Sequence, residues 1–323
     1  MSRTPSRRNS LFIVLLASVF LSANAAEPAP PDVALFMAKL DLAGAKIDQV
    51  RNITPGKGSN FQPSFVPDGT AVLFVSPRSG TANIYRYTIA SGATSAVTQT
   101  KESLYSPTAL ADGSGFVAVR VVTADPYYGL EAHEPPLWRF GWDGKPIGAL
   151  IDTKRAAYYA MVGEQQLAMF LVDDVAERNA HKAVLVHRTT GKVTLLTNKP
   201  GRSLGRTPDG KRATFVDQTD PKHWVIAAMG PDDAQPQVLV DTAVGKVDEP
   251  ESARSQYFVW LPDGSMLMAN GSKFFRWNGV KGSSFTPFAD LGTLGGMIKN
   301  IAVSRDGTQL AFSVAMDRPS ATQ

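Results

Sequence analysis

The chain has 323 residues, 43% of them apolar and 19% charged, so it is long and apolar enough to bury a substantial core. Because it contains no cysteine, disulfide frameworks, lipoprotein anchors, thiol catalysis and Cys-ligated zinc are all excluded. Its stability must come from packing.

The first 25 residues have the pattern of a cleavable export signal. Three arginines among the first eight residues supply a basic start, residues 11–21 an apolar centre, and Ala-Asn-Ala at 23–25 a small-residue cleavage site. The long apolar run after the arginines favours general secretion over the twin-arginine route. We therefore expect residues 1–25 to be a signal peptide and the mature protein to be periplasmic or secreted.

Removal of the signal changes the charge balance and the classes of partner that it allows. The mature chain would carry 30 basic and 29 acidic residues, a net charge of +1, with no basic cluster among aromatic residues. Nucleic acid is therefore not an expected partner. No second run of about 18 apolar residues follows the signal, so no membrane span is expected in the mature chain.

One turn sequence recurs along the mature chain, first as Pro67-Asp68-Gly69. Asp bonds the backbone just ahead of it and Gly supplies a positive φ, so each copy predicts a tight turn between antiparallel strands. Counted from glycine to glycine, the copies are 44, 50, 47, 54 and 43 residues apart. The further copies are Ala111-Asp112-Gly113, a degraded Val162-Gly163-Glu164, Pro208-Asp209-Gly210, Pro262-Asp263-Gly264 and Arg305-Asp306-Gly307.

Each turn is followed by an apolar segment that predicts a second strand. These segments are 71–76, 116–122, 166–172, 213–217, 266–270 and 309–315. Third strands are predicted within 84–92, 137–144 and 274–282, which share an aromatic-Arg pattern, and fourth strands within 93–100 and 193–198. Four strands at a period of about 40 to 50 residues are typical of a β-propeller blade.

The two ends of the chain fit together in this scheme. The last repeat supplies only two strands, whereas residues 33–55 look like a third and a fourth strand without a first and a second. We expect the N-terminal strands to complete the last blade, because closure leaves no open sheet edge. The predicted fold is all-β: a six-bladed β-propeller of four-stranded antiparallel blades, spanning residues 26–323.

These repeats resemble those of the TolB-like propeller family. The resemblance is carried by the Pro-Asp-Gly turn, the apolar second strand, the aromatic-Arg third strand and the glycine before the fourth strand, and it covers nearly all of the mature chain. It implies a stand-alone exported member without the α/β domain that precedes the propeller in TolB. The resemblance to such stand-alone propellers implies no particular activity for this chain, and no cofactor is expected.

In a repeat protein, features found in every blade are scaffold, and features peculiar to one blade are candidates for function. The Asp-Gly turns are therefore scaffold, as are Arg86, Arg139 and Arg276, which share one repeat position. Irregular loops at 123–136, 172–182 and 217–223 are expected on the opposite face. They contain His133, His181 and His223, which could ligate a metal but lack any local ligand spacing. Solvated loop side chains are the simpler interpretation.

The stretch Gly201-Arg202-Ser203-Leu204-Gly205 matches the G-x-S-x-G of serine hydrolases. That chemistry needs a strained turn between a strand and a helix, which exposes the serine beside an oxyanion hole. Here the stretch stands just before a Pro-Asp-Gly turn, where a first strand is expected and no helical pattern exists. We therefore predict no catalytic role for Ser203 and no other catalytic residue.

The residues at the start of the first strands are expected to surround the mouth of the central channel. They are Phe61, Gln62, Tyr105, Ser106, Tyr158, Tyr159, Arg202, Ser203, Gln256, Tyr257, Lys299 and Asn300. Aromatic faces with a few cations and amides suit peptides, acidic side chains or sugars. The alternative is that the tyrosines merely plug the channel. The predicted ligand-binding residues are Phe61, Gln62, Tyr105, Tyr159, Arg202, Ser203, Tyr257 and Asn300.

Two classes of function follow from this sequence. The first is a non-enzymatic binding or scaffold propeller that presents its loop-rich face and channel mouth to a protein or peptide of the cell envelope. The alternative is a propeller enzyme, a lyase or a glycan or peptide hydrolase, that uses His and acidic residues at the channel mouth with or without a metal.

Overall fold

The structure, a computed structural model, describes residues 32–56, 58–121, 137–151, 156–172, 181–243 and 256–316. These residues form 24 β-strands in six four-stranded antiparallel sheets, the blades. The predicted signal peptide at 1–25 and the loop that contains His133 lie outside the described residues. Within the described ranges, no helix is long and apolar enough to cross a membrane.

Blades 1 to 5 each use four strands that are consecutive in the chain. Blade 1 contains β3 (Phe61–Phe65), β4 (Ala71–Ser76), β5 (Asn83–Thr88) and β6 (Ala93–Ala96); blade 2 contains β7 (Ser103–Ala109), β8 (Phe116–Val121), β9 (Leu137–Phe140) and β10 (Pro146–Ala149). Blade 3 contains β11 (Ala156–Val162), β12 (Gln166–Val172), β13 (His181–His187) and β14 (Val193–Thr197). Blade 4 contains β15 (Pro200–Arg206), β16 (Ala213–Asp217), β17 (Val225–Met229) and β18 (Gln237–Asp241); blade 5 contains β19 (Phe258–Trp260), β20 (Met266–Asn270), β21 (Lys273–Trp277) and β22 (Thr286–Asp290).

Blade 6 joins the two ends of the chain. Its strands are β23 (Gly296–Val303), β24 (Gln309–Met316), β1 (Val33–Asp41) and β2 (Lys46–Asn52), in that order across the sheet. The pairing of β1 with β24 runs without interruption from Val33 opposite Ala315 to Lys39 opposite Gln309. The prediction that N-terminal strands complete the last blade is confirmed.

The blades are arranged in a ring around the first strand of each sheet. Every first strand contacts the first strand of the next blade, and β23 contacts both β19 and β3, which closes the circle. The first strands therefore line a central channel. The predicted fold class, a six-bladed β-propeller, is confirmed, and the start of each first strand lies at the channel end opposite the Asp-Gly turns.

The repeated turns have the structure that their residues predict. Asp68 Oδ1 accepts hydrogen bonds from the backbone nitrogen of Thr70 at 3.0 Å and from its hydroxyl at 2.8 Å. Gly69 has a φ of 70°, which an L side chain adopts only with strain. These bonds stabilise the ionised carboxylate and so lower the pKa of Asp68.

An apolar cluster fills each junction between adjacent blades in the described part of the chain. Successive strand residues point to opposite sides, so Leu73 packs toward blade 2 whereas Phe74 packs toward blade 6. Both sides of the second strands are therefore buried, and β4 is buried along its whole length. This explains why the second strands are continuous apolar segments in the sequence.

Two arginines of the third strands serve the scaffold. Arg276 pairs with Asp263 of its own turn and donates from Nη1 to the Leu42 carbonyl of blade 6 at 3.0 Å. The Arg86 guanidinium lies 5.7 Å from the centre of the Trp142 ring in blade 2. Both arginines therefore connect one blade to the next.

Candidate channel-mouth site

Five of the six first strands, all except β19, have an irregular pairing or β-bulge near the channel mouth. The pairing of β3 with β4 is irregular between Phe61 and Ser64, and that of β7 with β8 between Tyr105 and Thr108. Gln62 and Ser106, the first bulged residues, have φ values of 55° and 51°, in the left-handed region that is uncommon for residues other than glycine. The surrounding contacts must hold this conformation.

Those contacts are side-chain bonds from one blade to the backbone or bulge of the next. They involve four polar residues, each seven positions before the turn glycine of its blade: Gln62, Ser106, Ser203 and Asn300. The bonds are Gln62 N to Asn300 Oδ1 at 3.1 Å, Ser106 N to Gln62 Oε1 at 2.7 Å, Ser106 Oγ to Ala157 O at 3.2 Å, and Ser203 Oγ to Phe258 O at 3.0 Å. We call these four residues the inter-blade fasteners. Three of them are among the residues that the sequence predicts as ligand contacts.

The G-x-S-x-G stretch has a structural explanation. It lies within β15, as predicted, and Ser203 Oγ also accepts from the Phe258 backbone nitrogen at 3.3 Å. A Cβ on Gly201 would come within 2.8 Å of Val216, and one on Gly205 within 2.9 Å of the Thr214 hydroxyl. Both glycines are therefore required by the close approach of β16.

Tyr159 lies between blades 2 and 3 and not at the mouth. Its side chain is buried, and its hydroxyl lies 2.8 Å from the Val117 carbonyl oxygen and 3.1 Å from that of Ser106. Burial raises the pKa of Tyr159, so the hydroxyl keeps its proton and donates. The residue before it, Tyr158, is half-buried and is the tyrosine of this strand that reaches the mouth residues described next.

Tyr257 departs from the fastener pattern. It stands seven residues before Gly264, the position that the fasteners occupy in their own blades. Its side chain lies near enough to Tyr158 of blade 3 and Arg202 of blade 4 for both to affect its pKa. Burial and the neighbouring Tyr158 raise the pKa of Tyr257, and the Arg202 charge opposes that shift without reversing it. The Tyr257 hydroxyl therefore stays protonated at neutral pH.

Two cations stand at another shared repeat position. Arg202 and Lys299 each lie eight residues before the turn glycine, on β15 and β23. Burial lowers the pKa of Lys299, and the Arg202 charge lowers it further. The Lys299 ammonium also lies 2.9 Å from Met297 Sδ. The charges of Arg202 and Lys299 are thus close enough to interact.

The same repeat position carries aromatic residues in blades 1 and 2. The rings of Phe61 and Tyr105 are stacked with their centroids 6.3 Å apart and an interplanar angle of 21°, and both side chains are half-buried. The mouth therefore has an aromatic side in blades 1 and 2 and a side of cations and phenols in blades 3 to 6. We define the channel-mouth site as Phe61, Tyr105, Tyr158, Arg202, Tyr257 and Lys299.

Two of these six, Tyr158 and Lys299, are absent from the ligand-binding residues predicted above. The available signal for Lys299 was its repeat position, which it shares with Phe61, Tyr105 and Arg202. For Tyr158 no signal distinguished it from the adjacent Tyr159, since only the bulge register decides which of them faces the channel.

The two described histidines of the loop-rich face have different contacts, and Phe170 packs against both His181 and Tyr158 of the channel-mouth site. His223 Nε2 is 2.9 Å from Asp241 Oδ1, with both side chains largely exposed. The His181 ring packs against Phe170 with centroids 5.0 Å apart. Among the residues that the structure describes, no group of three or more His, Asp and Glu could hold a metal ion.

Fold and channel together define the chain as a six-bladed β-propeller. Similar solved structures include a protein of Agrobacterium tumefaciens assigned as TolB, with a TM-score of 0.63 and 13% identity over 90% of this chain and 100% of that one. A gluconolactonase of Xanthomonas campestris has a TM-score of 0.58 and 11% identity over 90% of this chain and 99% of that one. TolB of Acinetobacter baumannii has a TM-score of 0.52 and 13% identity over 89% of this chain and 65% of that one. No protein-family model and no curated protein sequence matches the chain. Because these structures include both TolB and an enzyme, they establish the fold alone.

Proposed function

We propose that the chain is an exported TolB-like propeller that binds a protein or peptide of the cell envelope at its channel mouth and catalyses no reaction. In this proposal, residues 1–25 direct export and residues 26–323 form the propeller. The observation that carries it is the departure of Tyr257 from the fastener pattern. Tyr158 and Arg202 lie near enough to act on the pKa of its side chain, whereas the fasteners bond the next blade.

The composition of the channel-mouth site supports binding. Tyrosine and arginine are the residues that most often dominate binding energy at protein interfaces, because they offer large contact areas together with hydrogen-bond donors. The stacked Phe61 and Tyr105 add apolar surface on the other side of the mouth. A peptide segment could thus bury apolar side chains against blades 1 and 2 and place polar groups against Arg202 and Tyr257.

The rigidity of the mouth supports the same function. Its side chains stand on or next to strands whose bulges are held by the inter-blade fasteners. A site that is ordered before its ligand arrives loses less conformational entropy on binding.

Partner capture tests the binding proposal. The protein is isolated after cross-linking in the cell envelope, and the partner is identified by mass spectrometry. We expect Arg202→Glu and Tyr105→Ala to abolish recovery of that partner. Arg206→Glu is the matched control, because Arg206 is an exposed arginine of the same strand, four residues further along. Equal recovery with all three variants would contradict binding at the mouth.

Export is tested separately. N-terminal sequencing of the protein from the periplasmic or extracellular fraction should start at about residue 26, and deletion of residues 1–25 should retain the protein in the cytoplasm. An uncleaved N-terminus in cells would contradict the proposed signal.

A further inference from the structure

The chain contains two Asn-Gly pairs, Asn270-Gly271 and Asn278-Gly279, and both lie in blade 5. An asparagine that precedes a glycine is especially labile, because glycine has no side chain to shield its backbone nitrogen from the asparagine amide. Neither pair belongs to the channel-mouth site or to the inter-blade fasteners. The two pairs share the same chemistry but have different surroundings, so each serves as a reference for the other.

The pair Asn278-Gly279 lies between β21 and β22, beside the Asp-Gly turn of its own blade. Asn278 directly follows the last residue of β21, and both members of the pair are exposed. Gly279 has a φ of 82°, and a Cβ on it would lie 2.5 Å from the Gly264 carbonyl oxygen. The fold therefore requires a glycine after Asn278. The contact with Gly264 also places the pair at the end of the propeller opposite the channel mouth.

The Asn278 side chain is folded back over its peptide bond with Gly279. Its Oδ1 accepts a hydrogen bond from the Val280 backbone nitrogen at 3.0 Å. This bond closes an Asx turn, a ring of atoms that includes the Gly279 nitrogen, and so holds the side-chain carbon Cγ beside that nitrogen. Within the described part of the chain, the Gly279 nitrogen donates no hydrogen bond, so its proton is available to water. The nucleophile and the carbon that it attacks are thus kept together.

A hydroxyl stands at the same side-chain oxygen. Ser283 Oγ lies 2.6 Å from Asn278 Oδ1 and 2.7 Å from the Val280 carbonyl oxygen, and its one proton can go to either. Attack on Cγ moves negative charge onto Oδ1, so the proton then favours Oδ1. The Val280 nitrogen and the Ser283 hydroxyl are therefore two donors aimed at an oxygen that becomes negative, as in an oxyanion hole.

We propose that Asn278-Gly279 is a site of spontaneous deamidation in the folded protein, promoted by the Val280 N–H and the Ser283 hydroxyl. The Gly279 nitrogen gives its proton to water and bonds to Cγ of Asn278, which closes a succinimide ring. The bond from Cγ to Nδ2 breaks, and the amine takes a proton from water and leaves as ammonia. Water then opens the ring at Cγ to give aspartate, or at the main-chain carbonyl carbon to give isoaspartate. Nothing is oxidised or reduced, and water is the only co-reactant.

The other Asn-Gly pair is an internal reference within the same blade. Asn270 is the half-buried last residue of β20 and is paired with Lys273 of β21. The Gly271 carbonyl oxygen accepts from the Ile298 nitrogen of blade 6 at 2.9 Å. A succinimide at this pair would distort a paired strand end and its bond to the next blade. We therefore expect Asn270 to react slowly in the folded protein.

Peptide mapping tests the site. The purified protein is incubated at mildly alkaline pH, digested with trypsin, and analysed by liquid chromatography and mass spectrometry, which separate asparagine, aspartate and isoaspartate forms. The two pairs fall in different tryptic peptides, residues 255–273 and 277–281. In the folded protein, Asn278 should react about tenfold faster than Asn270, whereas in concentrated urea the two rates should become about equal, because only the local sequence then acts. On isoelectric focusing, the more acidic form should accumulate in the wild-type protein and not in Asn278→Gln.

Variants at the hydroxyl test its role. Ser283→Ala should slow the reaction about fivefold, less than the loss of a donor in a closed active site, because water can take its place here. Ser283→Thr keeps the hydroxyl and should restore the rate. Ser284→Ala removes the hydroxyl of the exposed neighbour and should leave the rate unchanged. Each variant is compared only after urea unfolding shows the wild-type midpoint.

Two results would overturn the inference. Equal or faster reaction at Asn270 in the folded protein would show that the fold does not favour Asn278. An unchanged or faster reaction in Ser283→Ala would show that the hydroxyl does not promote the attack. Because the pair lies opposite the channel mouth, neither result bears on the binding proposed there.

Discussion

Replacement of Tyr159 by Phe tests the assignment of this tyrosine to the scaffold. The ring would stay buried between blades 2 and 3, so no cavity forms and the only loss is the hydroxyl. That hydroxyl donates hydrogen bonds to the carbonyl oxygens of Val117 and Ser106. Because burial raises its pKa, it donates at every pH at which the protein would be studied.

The expected cost follows from the burial of these groups. A typical hydrogen bond contributes about 1 kcal/mol net, and a buried acceptor left without a donor costs about 1–3 kcal/mol. We therefore expect Tyr159→Phe to lower the free energy of unfolding by about 1–3 kcal/mol. For a chain of this size, each kcal/mol corresponds to about 2–4 °C in Tm.

Urea unfolding followed by tryptophan fluorescence measures this change, since the chain contains five tryptophans. Tyr158→Phe is the matched control, because Tyr158 is its half-buried neighbour and the loss of its hydroxyl should cost under about 0.5 kcal/mol. Partner recovery should be unchanged in Tyr159→Phe. An unchanged urea midpoint in Tyr159→Phe, or a larger loss in Tyr158→Phe, would refute the assignment.

Three further predictions concern the scaffold. Asp68→Ala should lower the urea midpoint but leave partner recovery unchanged; loss of the partner at an unchanged midpoint would contradict the scaffold role. The turn aspartates have lowered pKa values in the folded protein, so their contribution to stability is complete above about pH 4, their pKa in the unfolded chain. That contribution is lost as the pH falls through the lowered pKa values of the folded protein. Melting curves at decreasing pH should therefore show a falling Tm. Phe312→Ala should cost about 3–5 kcal/mol in urea unfolding, because Phe312 is fully buried between two other phenylalanines.

The fold could be predicted because its signals are local and repeated. An Asp-Gly pair dictates its own turn through one carboxylate and one positive φ, and five such copies with one degraded copy at similar spacing leave few architectures. Closure by the N-terminal strands followed from counting strands at the two ends. Neither inference needed knowledge of which residues meet across the channel.

The channel-mouth site was predictable only in part, because it depends on geometry that spacing does not encode. The bulge of blade 3 is at Ala157, one residue later than a count of seven back from Gly163 places it. A shift of one residue exchanges the two sides of a strand, so Tyr158 reaches the mouth and Tyr159 the core. Similarly, the sequence shows that Gln62 and Asn300 stand at the mouth but not that their side chains are bonded to neighbouring blades.

The position of Tyr257 in the ring explains why a fastener can be absent there without loss of the fold. A fastener in blade 5 would bond to blade 6, and that junction has the largest apolar cluster in the described part of the chain, with twelve buried residues. It includes Phe312, whose ring contacts those of Phe36 and Phe274, and residues of the strands that close the propeller. Because packing already holds this junction, its mouth residue need not bond the next blade and is free to contact a ligand.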